Sequence, residues 1–272
     1  MIASRGRDES KRELDLGFAE GQTTYQSASQ SARVLTERWV EQQAFCTNCG
    51  NDRLTKFGNN LPVADFFCDA CREQFELKAK KGTFGSKVLN GAYGRKIERL
   101  NSNTNPNLLL LNYDLERLSV TNLIVIPKYY FVPSVIEKRS PLQETAERAG
   151  WVGSNILLSS IPNSGKIFIV KEGRPQPREA VLRQWSRTLF LMREGIEARG
   201  WLLEVMHCIE SLGKSEFQIE DIYAQEHRLK QLYPENKHVR EKIRQQLQVL
   251  RDREYLDFVS RGRYRLRGGQ DC

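Results

Sequence analysis

Seven side chains in one short stretch could do chemistry. Cys46 and Cys49, then Cys68 and Cys71, form two Cys-x-x-Cys pairs with 18 residues between them. Two cysteines three apart on a tight turn can aim both thiolates at one ion, and this spacing between pairs is that of a zinc ribbon. Four thiolates close a tetrahedron and leave no open position for a substrate, so the expected Zn2+ is structural. Two disulfides or free thiols are the alternatives, and nothing in the sequence points to an oxidising compartment. Around the second pair stand Asp65, Glu76 and Lys78. Two carboxylates are hard oxygen ligands for a divalent ion such as Mg2+. A metal and a lysine beside a phosphodiester can activate water and stabilise the charge that develops.

The elements that must position these groups are two strands and a turn. Residues 62–67 and 74–79 are each expected to be extended, with the second cysteine pair in the turn between them. Strand side chains alternate faces, so Glu76, Lys78 and Lys80 share one face while Phe75 and Leu77 point the other way. In an antiparallel register Asp65 falls beside Glu76 or Lys78. A solvated polar face is the alternative for these charges, because an isolated Glu-x-Lys occurs often by chance.

The constellation Asp65, Glu76, Lys78 resembles the PD-(D/E)xK nuclease superfamily. One departure is that Pro62 stands three residues before Asp65 rather than next to it. TERWV, CTNCGN, PVADFFC, FELKAKKG, Arg148-Ala149-Gly150-Trp151 and EKIRQQLQVLRD extend the resemblance to methyl-directed restriction endonucleases of the DpnI type, over residues 27–266. The resemblance implies a type II restriction endonuclease that hydrolyses double-stranded DNA at GATC containing N6-methyladenine. It implies that Asp65, Glu76 and the Leu77 carbonyl hold Mg2+ and that Lys78 serves the attacking water. Methyl dependence follows from this resemblance, since no residue type reads a methyl group uniquely.

The net charge of +8 over 272 residues suits a polyanionic partner. No apolar run is long enough for a membrane span, and the N-terminus lacks the apolar core of a signal peptide. A cytoplasmic, monomeric protein without membrane contact is expected. Residues 1–26 mix both charge signs with Gly, Ser, Gln and Thr and are expected to be a flexible extension. Residues 27–45 form a helix with Ala32, Leu35 and Trp39 on its buried stripe. Glu37 and Glu41 lie off that stripe, either as exposed carboxylates or within reach of the metal site. A second helix is expected through Val88, Ala92, Ile97 and Leu100. Strands are expected over 108–113, 123–126 and 167–170, with 129–132 continuing the sheet. Continuous apolar runs of this kind suit strands covered on both faces. The fold class is thus α/β: a PD-(D/E)xK-type mixed sheet flanked by helices, with a four-cysteine insertion, over 27–190. Trp151, between glycines, either joins the core or sits at a loop tip where it could stack on a base.

Residues 191–272 carry a different pattern, three helices and a hairpin, which is an α+β winged helix. A connecting helix is expected over 179–197, a break at Arg199-Gly200, and helices over 201–209 and 221–232. The third helix follows Asn236 as its cap, with Val239, Ile243, Leu247 and Leu250 as its buried stripe. Its outward face offers His238, Arg240, Arg244, Gln245 and Gln248, and such a helix puts its N-terminal residues at base edges in the major groove. Arg and Gln match the edges of G and A. Arg261, Arg263, Arg265 and Arg267 crowd the hairpin and could meet phosphates. Lys80, near the catalytic face, is a further DNA contact candidate. Cys208 is expected in a helix core. The competing reading is a zinc-ribbon, winged-helix transcription regulator without catalysis, which leaves Asp65, Glu76 and Lys78 without a reason to be aligned.

Overall fold

The architecture comes from a computed structural model that describes residues 14–18, 28–58, 64–102 and 104–267. Helix α1 (Ala28–Gln43) leads to strands β1 (Thr55–Lys56), β2 (Phe66–Phe67) and β3 (Gln74–Lys81). Then come β4 (Lys87–Ala92), α2 (Tyr93–Asn101), β5 (Asn107–Asp114), β6 (Ser119–Ile126), β7 (Ile136–Lys138), β8 (Gly153–Leu157), β9 (Ile167–Lys171) and β10 (Arg174–Pro175). Helices α3 (Arg178–Ser186) and α4 (Ile196–Ser211) follow. The chain ends in β11 (Glu216–Gln218), α5 (Ile219–Tyr223), α6 (Glu226–Leu232), α7 (Val239–Asp252), β12 (Leu256–Ser260) and β13 (Arg263–Leu266).

A seven-stranded mixed sheet in the order β1-β2-β3-β5-β6-β9-β10 is the frame. β3 lies parallel to β5, and the other neighbours are antiparallel. β5 reads Asn-Leu-Leu-Leu-Leu-Asn-Tyr because both its faces are covered. Leu109 and Leu111 join one buried cluster with Phe66, Phe75, Trp39 and Trp185. Leu108 and Leu110 join the other, which continues through Tyr129, Tyr130 and Val135 to Trp201, Ile243 and Leu250. The second cluster lies on the face that carries Glu76 and Lys78, since Glu76 pairs with Leu108 and Lys78 with Leu110. The apolar interior of the C-terminal helices is therefore continuous with the layer over the face that carries Glu76 and Lys78.

Several expectations are corrected. Val88 and Ala92 lie on β4, not on a helix; they belong to a second sheet, β4-β8-β7, and α2 begins only at Tyr93. Residues 129–132 do not extend the sheet. Pro127 and Pro133 lack the amide a strand needs, and the chain makes two buried 3-10 turns, Lys128–Tyr130 and Pro133–Val135. The helix expected over 179–197 ends at Ser186, and Arg199 and Gly200 are no break but lie inside α4, which starts after Gly195. Glycine suits position 200 because a Cβ there would stand 2.9 Å from the Tyr233 hydroxyl, whose ring stacks on Trp201 at 4.0 Å. Residues 221–232 form two short helices instead of one. Of the strand expected over 62–67, Phe66 and Phe67 are extended, and Pro62 and Val63 fall outside the described residues.

The N-terminal extension is not uniformly free. Gly17 bridges Ser119, the Val120 amide donates to the Leu16 carbonyl at 2.8 Å, and Phe18 is buried. The Trp39 indole donates to the Asp15 carbonyl at 2.8 Å. These contacts add a short segment to β6, because an edge amide needs a partner wherever water is kept out. The remainder of the stretch expected to be flexible, 1–13 and 19–26, lies outside the described residues, as does Cys272.

Candidate active site, metal centre and nucleic-acid interface

The cysteines converge. The sulfurs of Cys46, Cys49, Cys68 and Cys71 all lie within 4.8 Å of one another, with Cys46–Cys71 at 3.6 Å and Cys49–Cys68 at 3.5 Å. A tetrahedron with metal–sulfur bonds of about 2.3 Å has edges of about 3.8 Å, so the donor set fits a zinc ion. Each pair sits on a tight turn: the Gly50 amide donates to the Cys46 carbonyl and the Arg72 amide to the Cys68 carbonyl, both at 2.8 Å. Gly50 and Arg72 take positive φ, 77° and 63°, to close these turns. Burial pushes the Cys46 and Cys49 thiols up. Burial acts the same way on Cys71, but hydrogen bonds from the Asn48 side chain and the Glu73 amide outweigh it and hold that thiol down. Asn48 is held in turn, since its Oδ1 accepts the Trp185 indole N–H at 3.0 Å. Support of this kind behind a ligand orients it.

Three residues from Cys68, Asp65 enters the hairpin. Its amide donates to the Phe75 carbonyl at 2.9 Å, and Phe66 pairs with Phe75. This register sets Asp65 across from Glu76. Asp65 Oδ2 accepts the Leu77 amide at 2.7 Å, and Lys78 Nζ contacts Glu76 Oε1 at 2.7 Å. Among the described residues the second oxygen of each carboxylate has no protein partner. Burial, opposed by the Leu77 amide and joined by the charges of Glu76 and Glu37, raises the Asp65 carboxyl. Burial also works against the Glu76 charge, but Lys78 and Lys96 outweigh it and hold Glu76 down. A bound cation would reverse the pressure on Asp65.

Two groups at this site were not legible as such. Glu37 is no exposed helix carboxylate: it is 6% exposed and bound by Arg33 at 2.5 Å and Lys56 at 2.7 Å. Lys96, on α2, is buried with its ammonium 2.7 Å from Asn105 Oδ1 and 4.9 Å from the Phe131 ring centre. Burial lowers its pKa to about 8, and Glu76 pulls the other way. A buried lysine on a short helix carries no sequence signal that separates it from a surface lysine. Glu41 is exposed.

The candidate DNA contacts are spread over two regions. Lys80 is exposed on β3, opposite Asn112. Trp151 is half-buried in the loop before β8, with its ring so close over Gly153 that a Cβ there would meet it at 2.8 Å. On α7, Val239, Ile243, Leu247 and Leu250 are buried, while His238, Arg240, Arg244, Gln245 and Gln248 are exposed. His238, not Asn236, is the N-cap; its amide donates to Asn236 Oδ1 at 2.9 Å. The hairpin arginines are less free than their sequence suggests. Arg263 and Arg265 both grip Glu216 at 2.6 Å, and Arg267 pairs with Asp257 at 2.5 Å. Arg261 is exposed and has no ion pair among the described residues. β11, β13 and β12 form a small sheet that touches α5 and α7.

The Dam-replacing family model, labelled DpnI, matches residues 14–194, and the Dam-replacing HTH domain, labelled DpnI_C, matches residues 197–266. The chain belongs to the Dam-replacing family. Membership agrees with the resemblance read from TERWV, CTNCGN and FELKAKKG. It supports a methylation-dependent restriction endonuclease as the activity and DNA as the partner. The Dam-replacing HTH match begins at Arg199's own helix, α4, and ends with β13. No helix among the described residues is long and apolar enough to cross a membrane.

Proposed function

We propose that the protein is a Mg2+-dependent endonuclease of PD-(D/E)xK type that cuts double-stranded DNA at GATC carrying N6-methyladenine. The observation that carries this reading is the meeting of Asp65, Glu76 and Lys78 on one face of the β2–β3 hairpin. Asp65, Glu76 and the Leu77 carbonyl would hold Mg2+, the Asp65–Leu77 hydrogen bond fixing how the carboxylate presents its second oxygen. When bound, the ion supplies charge neutralisation at the phosphate and a more acidic water. Lys78 exchanges its contact with Glu76 for the attacking water, orients it in line with the phosphorus and takes part in moving its proton. The P–O3′ bond breaks as the new P–O bond forms, leaving a 3′-hydroxyl and a 5′-phosphate. The four-cysteine cluster would hold Zn2+ and fix the turn from which Asp65 extends.

In this reading residues 27–190 cut, and residues 191–272 make a second DNA contact through α7, with His238, Arg240, Arg244 and Gln245 at base edges and Arg261 and Arg263 at phosphates. Lys80 and Trp151 meet the DNA on the catalytic side, and the protein acts as a cytoplasmic monomer. The deciding experiment is incubation with Mg2+ and matched plasmids from adenine-methylating and non-methylating hosts. Cleavage of the methylated plasmid alone is expected. Intact methylated plasmid, or equal cutting of both, rejects the reading.

A further inference from the structure

Arg240 and Arg244 stand one helical turn apart on α7 and project from one face. Neither is loose, although both are exposed. Tyr223, at the end of α5, lies against both guanidinium groups: its ring centre is 5.1 Å from the Arg240 Cζ and 5.7 Å from the Arg244 Cζ. Its hydroxyl oxygen accepts the Arg244 Nε hydrogen at 2.6 Å. Glu226, at the start of α6, takes Arg240 Nε on one oxygen and Lys230 Nζ on the other, each at 2.7 Å.

We propose that Tyr223 and Glu226 are positioning residues that determine how selectively α7 reads DNA. The inference rests on the reading of α7 proposed above. An arginine fork discriminates a guanine edge only when its plane is fixed. Tyr223 fixes both planes before DNA arrives, so less side-chain freedom is lost on binding. Glu226 acts in the opposite sense on Arg240. It neutralises the charge that any phosphate would otherwise attract, and it must be displaced before the fork can bind. A two-pronged base contact compensates for that displacement better than a lone phosphate contact does. Glu226 is thus the repulsive element that a selective interface needs.

The test uses the full chain with Ca2+ in place of Mg2+. Anisotropy titrations compare a duplex containing G-N6-methyl-A-T-C with one of equal composition lacking it, over a salt series. Glu226→Gln frees one cation for phosphate. At 0.15 M salt it should raise affinity for the duplex without the site about fivefold and steepen the log–log salt slope by about 0.9. The ratio between the two duplexes should fall by a similar factor. Tyr223→Phe removes the hydroxyl acceptor and no charge. It should weaken the methylated duplex about fivefold and leave the other duplex and the salt slope unchanged. A purely structural role would lower the melting temperature and move both duplexes together. Glu226→Ala repeats the first arm without the new amide. The inference is overturned if these variants keep the ratio within about twofold of wild type while Arg240→Ala and Arg244→Ala lower it. If the two arginine variants leave the ratio unchanged, or wild type shows no preference, the reading of α7 itself fails.

Discussion

Replacing Asp65 by Asn and by Ala separates the structural work of this side chain from its chemical work. The Asp65 carboxyl is held up by burial and by the Glu76 and Glu37 charges, so its ionised form is disfavoured in the metal-free protein. Asn keeps an oxygen that can accept the Leu77 amide, now at 2.7 Å from Oδ2, and removes the disfavoured charge. The metal-free Asp65→Asn protein should therefore melt no lower than wild type. Ala removes the acceptor and leaves the Leu77 amide unpaired. A hydrogen bond to a charged acceptor contributes about 1.5–3 kcal/mol, and the half-exposed site favours the low end. For a chain of this size about 1.5 kcal/mol corresponds to roughly 3–6 °C, the expected gap between the two variants. Both should lose cleavage by at least about a thousandfold, since a lost metal ligand removes several kcal/mol of transition-state stabilisation. In 10 mM Mg2+ a site with a Kd near 1 mM gains about 1.4 kcal/mol. Wild type should then melt a few degrees higher and Asp65→Asn should not respond. Differential scanning fluorimetry with and without Mg2+, beside a plasmid-cutting assay, measures all of this. Cleavage by Asp65→Asn, or equal melting of Asn and Ala variants, would refute the argument.

Three further outcomes are expected. Cys68→Ser should lower both melting temperature and cutting rate, and metal analysis of the purified wild type should find one tightly bound zinc; its absence would remove the structural role. Because the folded-state pKa of Asp65 is raised, its stability contribution is present while it is protonated and is lost as pH rises through that pKa. Metal must displace the same proton, so the Mg2+ concentration for half-maximal cutting should rise as pH falls through it, and a flat profile would count against Asp65 as a ligand. A fragment ending at residue 194 should be insoluble or melt well below the full chain, since it bares Tyr129, Tyr130 and Val135, which share a buried cluster with Trp201 and Ile243. A well-folded fragment would show that this shared core is dispensable.

What was legible in the sequence had a local cause. The cysteine spacing is fixed by the reach of a tight turn, the alternation of 74–79 by the strand period, and the α7 stripe by the helix period. What was not legible depended on partners far along the chain. Lys96 and Glu37 look like surface charges until α2 and α1 are laid on the sheet. Val88 and Ala92 fit a helical spacing as well as a strand, and only pairing with β8 decides between them. Gly200 signals a break in isolation, but it is the small residue that admits the Tyr233 hydroxyl against α4. The hairpin arginines look like phosphate contacts by number, yet Glu216 engages two of them.

Only two residues separate Asp65 from Cys68, and both are aromatic residues of β2. The carboxylate proposed as a metal ligand thus stands directly beside the turn that carries two of the four sulfurs, those of Cys68 and Cys71. If the proposed function holds, zinc binding links cutting to the moment of folding. A newly made chain without zinc would lack the turn and the cutting geometry at once. The number of active molecules in a cell would then follow zinc supply during synthesis, and a chelator added before folding should suppress activity far more than the same chelator added afterwards.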